Sequence, residues 1–274
     1  MKKFSIFICA ILLLTSCQSV NNSTQEDSIM IKEPEDETNT LNKDIENKKS
    51  VIFNTFDVDK KYYNEVEGYA ELKLKLVRLE GDYEGIPKIN KYFADKEEAF
   101  YNELPLDFMK ENNIEAKGEE DNYYRSAYYK LEIVLGDIIS VSAELNGGAG
   151  GVGWAGIEGD TFDLNTGKKL SLEDIFNVNR HDYMNFIYGF VADEIMVKIK
   201  SELDSDNGSA YNFDDAYSTE GQKAIRSFES NDFYLTKEAL VVFYPKYALS
   251  CGAGGPQKFS IPYDEILDFL SIDI

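Results

Sequence analysis

Glycine, histidine, cysteine and carboxylate are the residue types through which this sequence could do chemistry. The stretch LNGGAGGVGWAG, Leu145 to Gly156, contains Gly148-x-Gly150-x-x-Gly153, the spacing of a dinucleotide-binding fingerprint, after the strand-like run IISVSAEL. In such a site the last glycine opens a helix whose N-terminus meets the pyrophosphate. Here Gly153 leads into WAGIEGDTFDLNTG, which holds three more glycines and a strand pattern, and the G-K-[ST] of a P-loop is missing. The fingerprint fails its structural context, so no cofactor is expected. The glycines read as a flexible or tightly turned connection between two strands.

The other reactive groups are sparse or undirected. His181 is the single histidine, beside Arg180 near a helix start, so neither a histidine-based zinc site nor a Ser-His-Asp triad can be assembled. Of the 3 cysteines, Cys9 lies in the leader and Cys17 at its end, which leaves Cys251 without a disulfide partner and suits it to a buried apolar role. DSDNGSAYNFDD, Asp204 to Asp215, has the acidic start of an EF-hand loop, but Gly208 falls at position five and Asp215 stands where a bidentate Glu is usual. It reads as an acidic inter-helix loop. A glycosidase needs two carboxylates about 5–10 Å apart, and the sequence does not choose them among 50 acids. The chain therefore reads as a binding protein and not as an enzyme.

The elements that would position a binding surface are clear in part. YAELKLKLVRL alternates Ala70, Leu72, Leu74 and Leu76 with charged residues, a half-buried strand suited to an antiparallel sheet. GIPKINKYFADKEEAFYNEL predicts a helix with Pro87 in its first turn and Ile86, Ile89, Phe93, Phe100 and Leu104 on one stripe. Tyr129 to Leu135 and Ile139 to Leu145 predict a hairpin turning at Gly136-Asp137. Ser171 and Asp174 form a capping-box pattern, and Met184, Ile187, Tyr188, Val191 and Ile195 mark a helix from about His181 to Leu203. TEGQKAIRSF suggests a further helix, DFYLTKEALVVFYPKY a second hairpin, and QKFSIPYDEILDFL a strand entering a terminal helix. The order of elements predicts an α+β fold, with antiparallel sheets packed against helices in two interlocked halves.

The first residues set the compartment. MKKFSIFICAILLLTSC has a two-lysine start, an apolar run too short to span a bilayer and the tetrapeptide Leu14-Thr15-Ser16-Cys17, which resembles a bacterial lipobox. Residues 1–16 are expected to be a signal peptide. Cys17 is then expected to carry the lipid (diacylglycerol and palmitate) that holds the protein on the outer side of the membrane. Residues 17–50 are polar and without an apolar period, which predicts a disordered tether. Loss of Lys2 and Lys3 takes the basic count from 28 to 26 and the net charge from −22 to −24. Such a surface repels nucleic acid and steers cationic partners toward itself.

TFDLNTGKKLSLEDIF, Thr161 to Phe176, and FYLTKEALVVFYPKYALSCGAGGPQKFSIPYDEI, Phe233 to Ile266, resemble the extracellular module of lysozyme-sensing anti-sigma factors of the RsiV type. The same module precedes the catalytic domain of some peptidoglycan deacetylases. The resemblance covers roughly Tyr62 to Ile274, with residues 51–145 as one half of the module and 146–274 as the other. It departs from the family at Gly150, which stands where a histidine is frequent, and in lacking the sigma-binding segment and transmembrane helix of the anti-sigma type. The resemblance implies a cationic extracellular protein such as lysozyme as partner. A cell-wall glycan or a purely structural envelope role are the alternatives. The candidate ligand-binding residues are those of two glycine-rich stretches and their aromatics: Gly148, Gly150, Gly151 and Trp154, and Tyr247, Gly252, Gly254 and Gly255.

Overall fold

The computed structural model describes residues 49–64, 68–102, 123–149, 152–204, 210–251 and 254–272. The leader, Cys17 and most of the tether lie outside them, as do Gly150, Gly151 and Gly252 and residues 205–209 of the acidic loop.

The fold is α+β, with one sheet of five strands and one of three. The first sheet takes β1 (Val51–Asn64), β2 (Gly68–Gly81), β3 (Tyr123–Leu135), β4 (Ile138–Ala149) and β5 (Val152–Asp163), neighbours in chain order. Helix α1 (Ile86–Asn102) lies between β2 and β3 in sequence. Short α2 (Leu172–Ile175), long α3 (Arg180–Asp204) and α4 (Thr219–Ile225) follow, then β6 (Phe233–Leu235), β7 (Ala239–Tyr244) and β8 (Gln257–Pro262) of the second sheet. The boundary expected at 145/146 falls inside β4.

One pairing departs from the antiparallel expectation. β2 and β3 run parallel from Ala70↔Tyr123 to Lys75↔Tyr128. Parallel neighbours need a crossover, and α1 lies within it. Beyond Lys75 the two strands part, and a side chain of α1 takes the place of a strand. Leu79 N–H donates to Asn90 Oδ1 at 2.8 Å, and Asn90 Nδ2 donates to Leu79 C=O at 2.8 Å. Both backbone groups would otherwise go unmatched at the edge of the core.

Two cores lie on either side of the sheets. Ile89 and Phe93 of α1 pack with Leu72, Leu74, Ile139, Val141 and Phe162 on one face of the five-stranded sheet. The α3 stripe of Ile187, Val191 and Ile195 packs on Leu240, Val242 and Tyr244 of β7. The alternate residues of β7, Val241 and Phe243, join Tyr234 and Ile157 of β5. All six β7 residues are buried, as a strand covered on both faces must be. The layers are thus α1, five-stranded sheet, three-stranded sheet and α3.

The predicted hairpin forms across Gly136, whose φ of 54° suits the turn. Asp174 accepts from Ser171 N–H at 2.9 Å, the returning half of the capping box. The C-terminus differs from expectation: two 3₁₀ turns, Tyr263–Glu265 and Leu267–Phe269, replace the α-helix. Backbone groups at the end of the chain go to α2 and its exit instead, with Ser271 N–H on Ile175 C=O and Asn177 N–H on Phe269 C=O, both at 2.8 Å.

Candidate functional site

The described residues of the first glycine stretch belong to two paired strands. Gly147 and Gly148 end β4, and Gly153 and Gly156 lie in β5, with the ladder continuous to Ala149↔Val152. The reason is what lies against them. A Cβ on Gly147 would come within 2.3 Å of the Trp154 indole, and one on Gly159 within 2.0 Å of the Phe233 carbonyl of β6. Glycine lets the indole lie flat on the sheet at one place and the second sheet approach the first at the other. Trp154 is half-buried, with the Arg125 guanidinium 5.9 Å from its ring and 4.8 Å from that of Phe100. Arg125 thus stands between the two rings in cation–π geometry.

The second stretch reaches the first at one point. Lys246 Nζ donates to Gly153 C=O at 3.1 Å and sits 5.0 Å from the ring of Tyr247. Tyr247 is 65% exposed and holds φ at 73°, a conformation rare for a side chain of its size. Gly254 packs on Ser250, and Gly255 takes φ 63° before β8. Cys251 is exposed, contrary to the apolar role expected of it: the chain leaves the core after buried Leu249 and Ser250. Gly148, Trp154, Tyr247, Gly254 and Gly255 therefore belong to the β4–β5 tip and the β7–β8 connection, joined through Lys246.

The T-G-K residues serve the fold. Asp163 accepts from the N–H and hydroxyl of Thr166, and Gly167 turns at φ 70° against Gly85. Next to this turn a buried ionic cluster ties α1 to β5. Asp160, 1% exposed, accepts from Lys169 Nζ at 2.5 Å, Lys96 Nζ at 3.0 Å and Tyr92 Oη at 2.6 Å, and Lys96 also meets Glu158. Burial alone would raise the pKa of Asp160. The two ammonium groups and the hydrogen bonds from Lys169 and Tyr92 outweigh it and hold the carboxyl below its ordinary range. Burial and the neighbouring Asp160 push the Tyr92 phenol up, against Lys96. The cluster is balanced and satisfied, a tie between elements.

A groove of about 880 Å³ opens between the two sheets, within the usual range for ligand sites of ~300–1,000 Å³. Its lining carries Lys75, Lys130 and Lys258 and, interleaved with them, Glu132, Glu144 and Glu238. A bulge between Leu131 and Ile133 directs Glu132 inward, where it accepts from Ser142 Oγ at 2.6 Å and Lys130 Nζ at 2.8 Å. Lys258 and Glu144 face each other at 3.6 Å. Tyr234 on the opposite wall is 6% exposed, and burial, with Glu132 and Glu144 adding to it, pushes its phenol up to about 12. It remains a neutral hydroxyl at physiological pH. The groove therefore offers fixed charges of both signs together with hydroxyl groups.

His181 is exposed at the start of α3, next to Asn185. Among the described residues no group of three His, Cys, Asp or Glu is placed to hold a metal ion.

A module of this build, with sheets back to back and a helix outside each, is shared with known proteins. Residues 173–264 match the DUF3298 family, described as a protein of unknown function, and the chain thus carries a DUF3298 domain. A DUF3298 family member from Bacteroides fragilis superposes with a TM-score of 0.58 at 17% identity, covering 82% of this chain and 96% of its own. A DUF3298 family protein from Pseudomonas aeruginosa gives 0.54 at 14% identity, covering 80% and 94%. At these identities the likeness is one of fold. No curated protein matches the sequence.

Proposed function

We propose that this chain is an envelope lipoprotein, anchored through Cys17, whose module binds a cationic wall-active protein such as lysozyme without chemically altering it. The observation that carries the reading is the charge balance. Without Lys2 and Lys3, even if each of the 26 remaining basic residues of the 28 met one acid, 24 of the 50 acids would have no basic partner. Several bases are in any case engaged internally, among them Lys96, Lys169, Arg78 and Lys168. The outward field is therefore strongly negative and steers a basic protein toward the surface. The joined β4–β5 tip and β7–β8 connection, with exposed Tyr247, supply an anchor of the kind found at protein interfaces. The resemblance of Thr161–Phe176 and Phe233–Ile266 to lysozyme-sensing modules supports the choice of partner.

Calorimetry of the full chain in detergent with hen-type lysozyme at low and at about 0.15 M salt tests the proposal. A micromolar complex that survives the higher salt and slows wall lysis is the expected result. Binding that vanishes at the higher salt reduces the interaction to charge attraction, and no heat at either salt sinks the reading.

A further inference from the structure

The inter-sheet groove has two charges that the fold leaves unused. Among the described residues, neither the Lys75 ammonium of β2 nor the Glu238 carboxylate ahead of β7 takes part in an ion pair or a side-chain hydrogen bond. The other four charges of the lining are matched within it, Lys130 with Glu132 and Lys258 with Glu144. Lys75 belongs to the five-stranded sheet, and Glu238 to the turn that joins β6 and β7 of the other sheet. One cation and one anion that no contact ion pair holds thus stand on opposite walls, Lys75 with the exposed Asp57 across the β1–β2 ladder from it.

A ligand that complements this lining carries both signs itself. A phosphorylated ligand would meet three carboxylates along with the three lysines, two of which are already paired, and would leave Glu238 without a partner. A neutral glycan can hydrogen-bond to Lys75 and Glu238 through its hydroxyls but neutralises neither charge. A short peptide with a free ammonium and a free carboxylate matches both, since each of its ends gains a charge-assisted contact. Tyr128 lies beside Lys75 in the strand register and is 41% exposed, which gives the peptide's apolar part a ring to pack on. Glu132, only 11% exposed, keeps acceptor capacity beyond its contacts with Ser142 and Lys130. The Tyr234 hydroxyl adds a neutral donor and acceptor. We infer that the groove between the two sheets is a binding site for a short zwitterionic peptide, its carboxylate on Lys75 and its ammonium on Glu238. This site is separate from the surface proposed for the protein partner and does not depend on it.

The test is calorimetry of the full chain in detergent with trialanine, N-acetyl-trialanine, trialanine amide and chitotriose. Trialanine is expected to bind, and capping either end to weaken binding by about tenfold, as loss of one charge-assisted contact does. In Lys75→Met the free acid and the amide should bind alike, and in Glu238→Gln the free amine and its acetyl form should bind alike. Capped peptides that bind the wild-type protein as tightly as trialanine overturn the inference. So does chitotriose binding without trialanine binding, or heat from none of the four. The comparison of capped and free ligands is made on the unaltered protein, so a variant that misfolds does not obscure the outcome.

Discussion

Gly147 and Trp154 face each other across the β4–β5 ladder, and the indole occupies the space that a side chain at Gly147 would need. An aromatic covering a cross-strand glycine restores apolar cover where the glycine leaves the sheet bare. The glycine is thus there for the tryptophan.

Gly147→Val should therefore expel the indole. We expect a loss of about 1–3 kcal/mol in urea unfolding, the usual cost of overpacking. Trp154 is the 1 tryptophan of the chain, so its emission should shift to the red in the native variant. An unshifted emission with unchanged stability would show that the strand tip accommodates a side chain.

Asp160 joins Lys96 of α1 to Lys169, which follows the T-G-K turn. Asp160→Asn leaves two ammonium groups facing an uncharged amide, and removal of one partner from a buried pair costs about 3 kcal/mol or more. The pH dependence has a definite sign. The folded pKa lies below the unfolded value of about 3.9, so this stabilisation is present above that value and is lost as pH falls through the lower folded pKa. Urea midpoints measured from pH 6 downward should fall for the wild type below about pH 4, with a shallower fall for Asp160→Asn.

Cys251 offers a check on the β7–β8 connection. An exposed thiol in the native protein should react with a maleimide without denaturant, one label on this residue per chain. Labelling that requires urea would place the thiol back in the core.

Local pattern made much of this legible in the sequence. The β3–β4 hairpin, α1, α3 and the Ser171–Asp174 cap depend on neighbours within a few residues, and the structure has them. β1 was not apparent, because an edge strand with Phe56 48% exposed does not alternate cleanly. The parallel β2–β3 pairing was also hidden, since periodicity gives a strand's faces and not its neighbours' direction. The groove escaped for a related reason. Lys130, Glu132, Ser142 and Glu144 look like one solvated face, and only the packing of β6–β8 over it turns that face into a wall. Asn90 shows the same limit: nothing in Ile89-Asn90 reveals that an amide will stand in for a strand beside Leu79.

Asp232, just ahead of β6, is the counterpart of Asp160. Burial pushes its pKa up, the nearby Glu229 carboxylate adds to the rise, and a backbone hydrogen bond at Glu229 and the Lys169 charge only partly oppose it. For a carboxyl with a raised folded pKa the ionised form is the disfavoured one. The penalty is absent below the unfolded value of about 3.9 and fully present once pH has risen above the folded pKa. Asp232→Asn removes the charge while keeping the shape. It should raise the urea midpoint at pH 7, and the gain should shrink as pH is lowered toward about 4. A gain that is the same at both ends of that range would mean that the amide improves packing and that ionisation of Asp232 has no part in it. A loss at pH 7 would mean that the carboxylate, despite its burial, is held by Lys169 more strongly than burial opposes it.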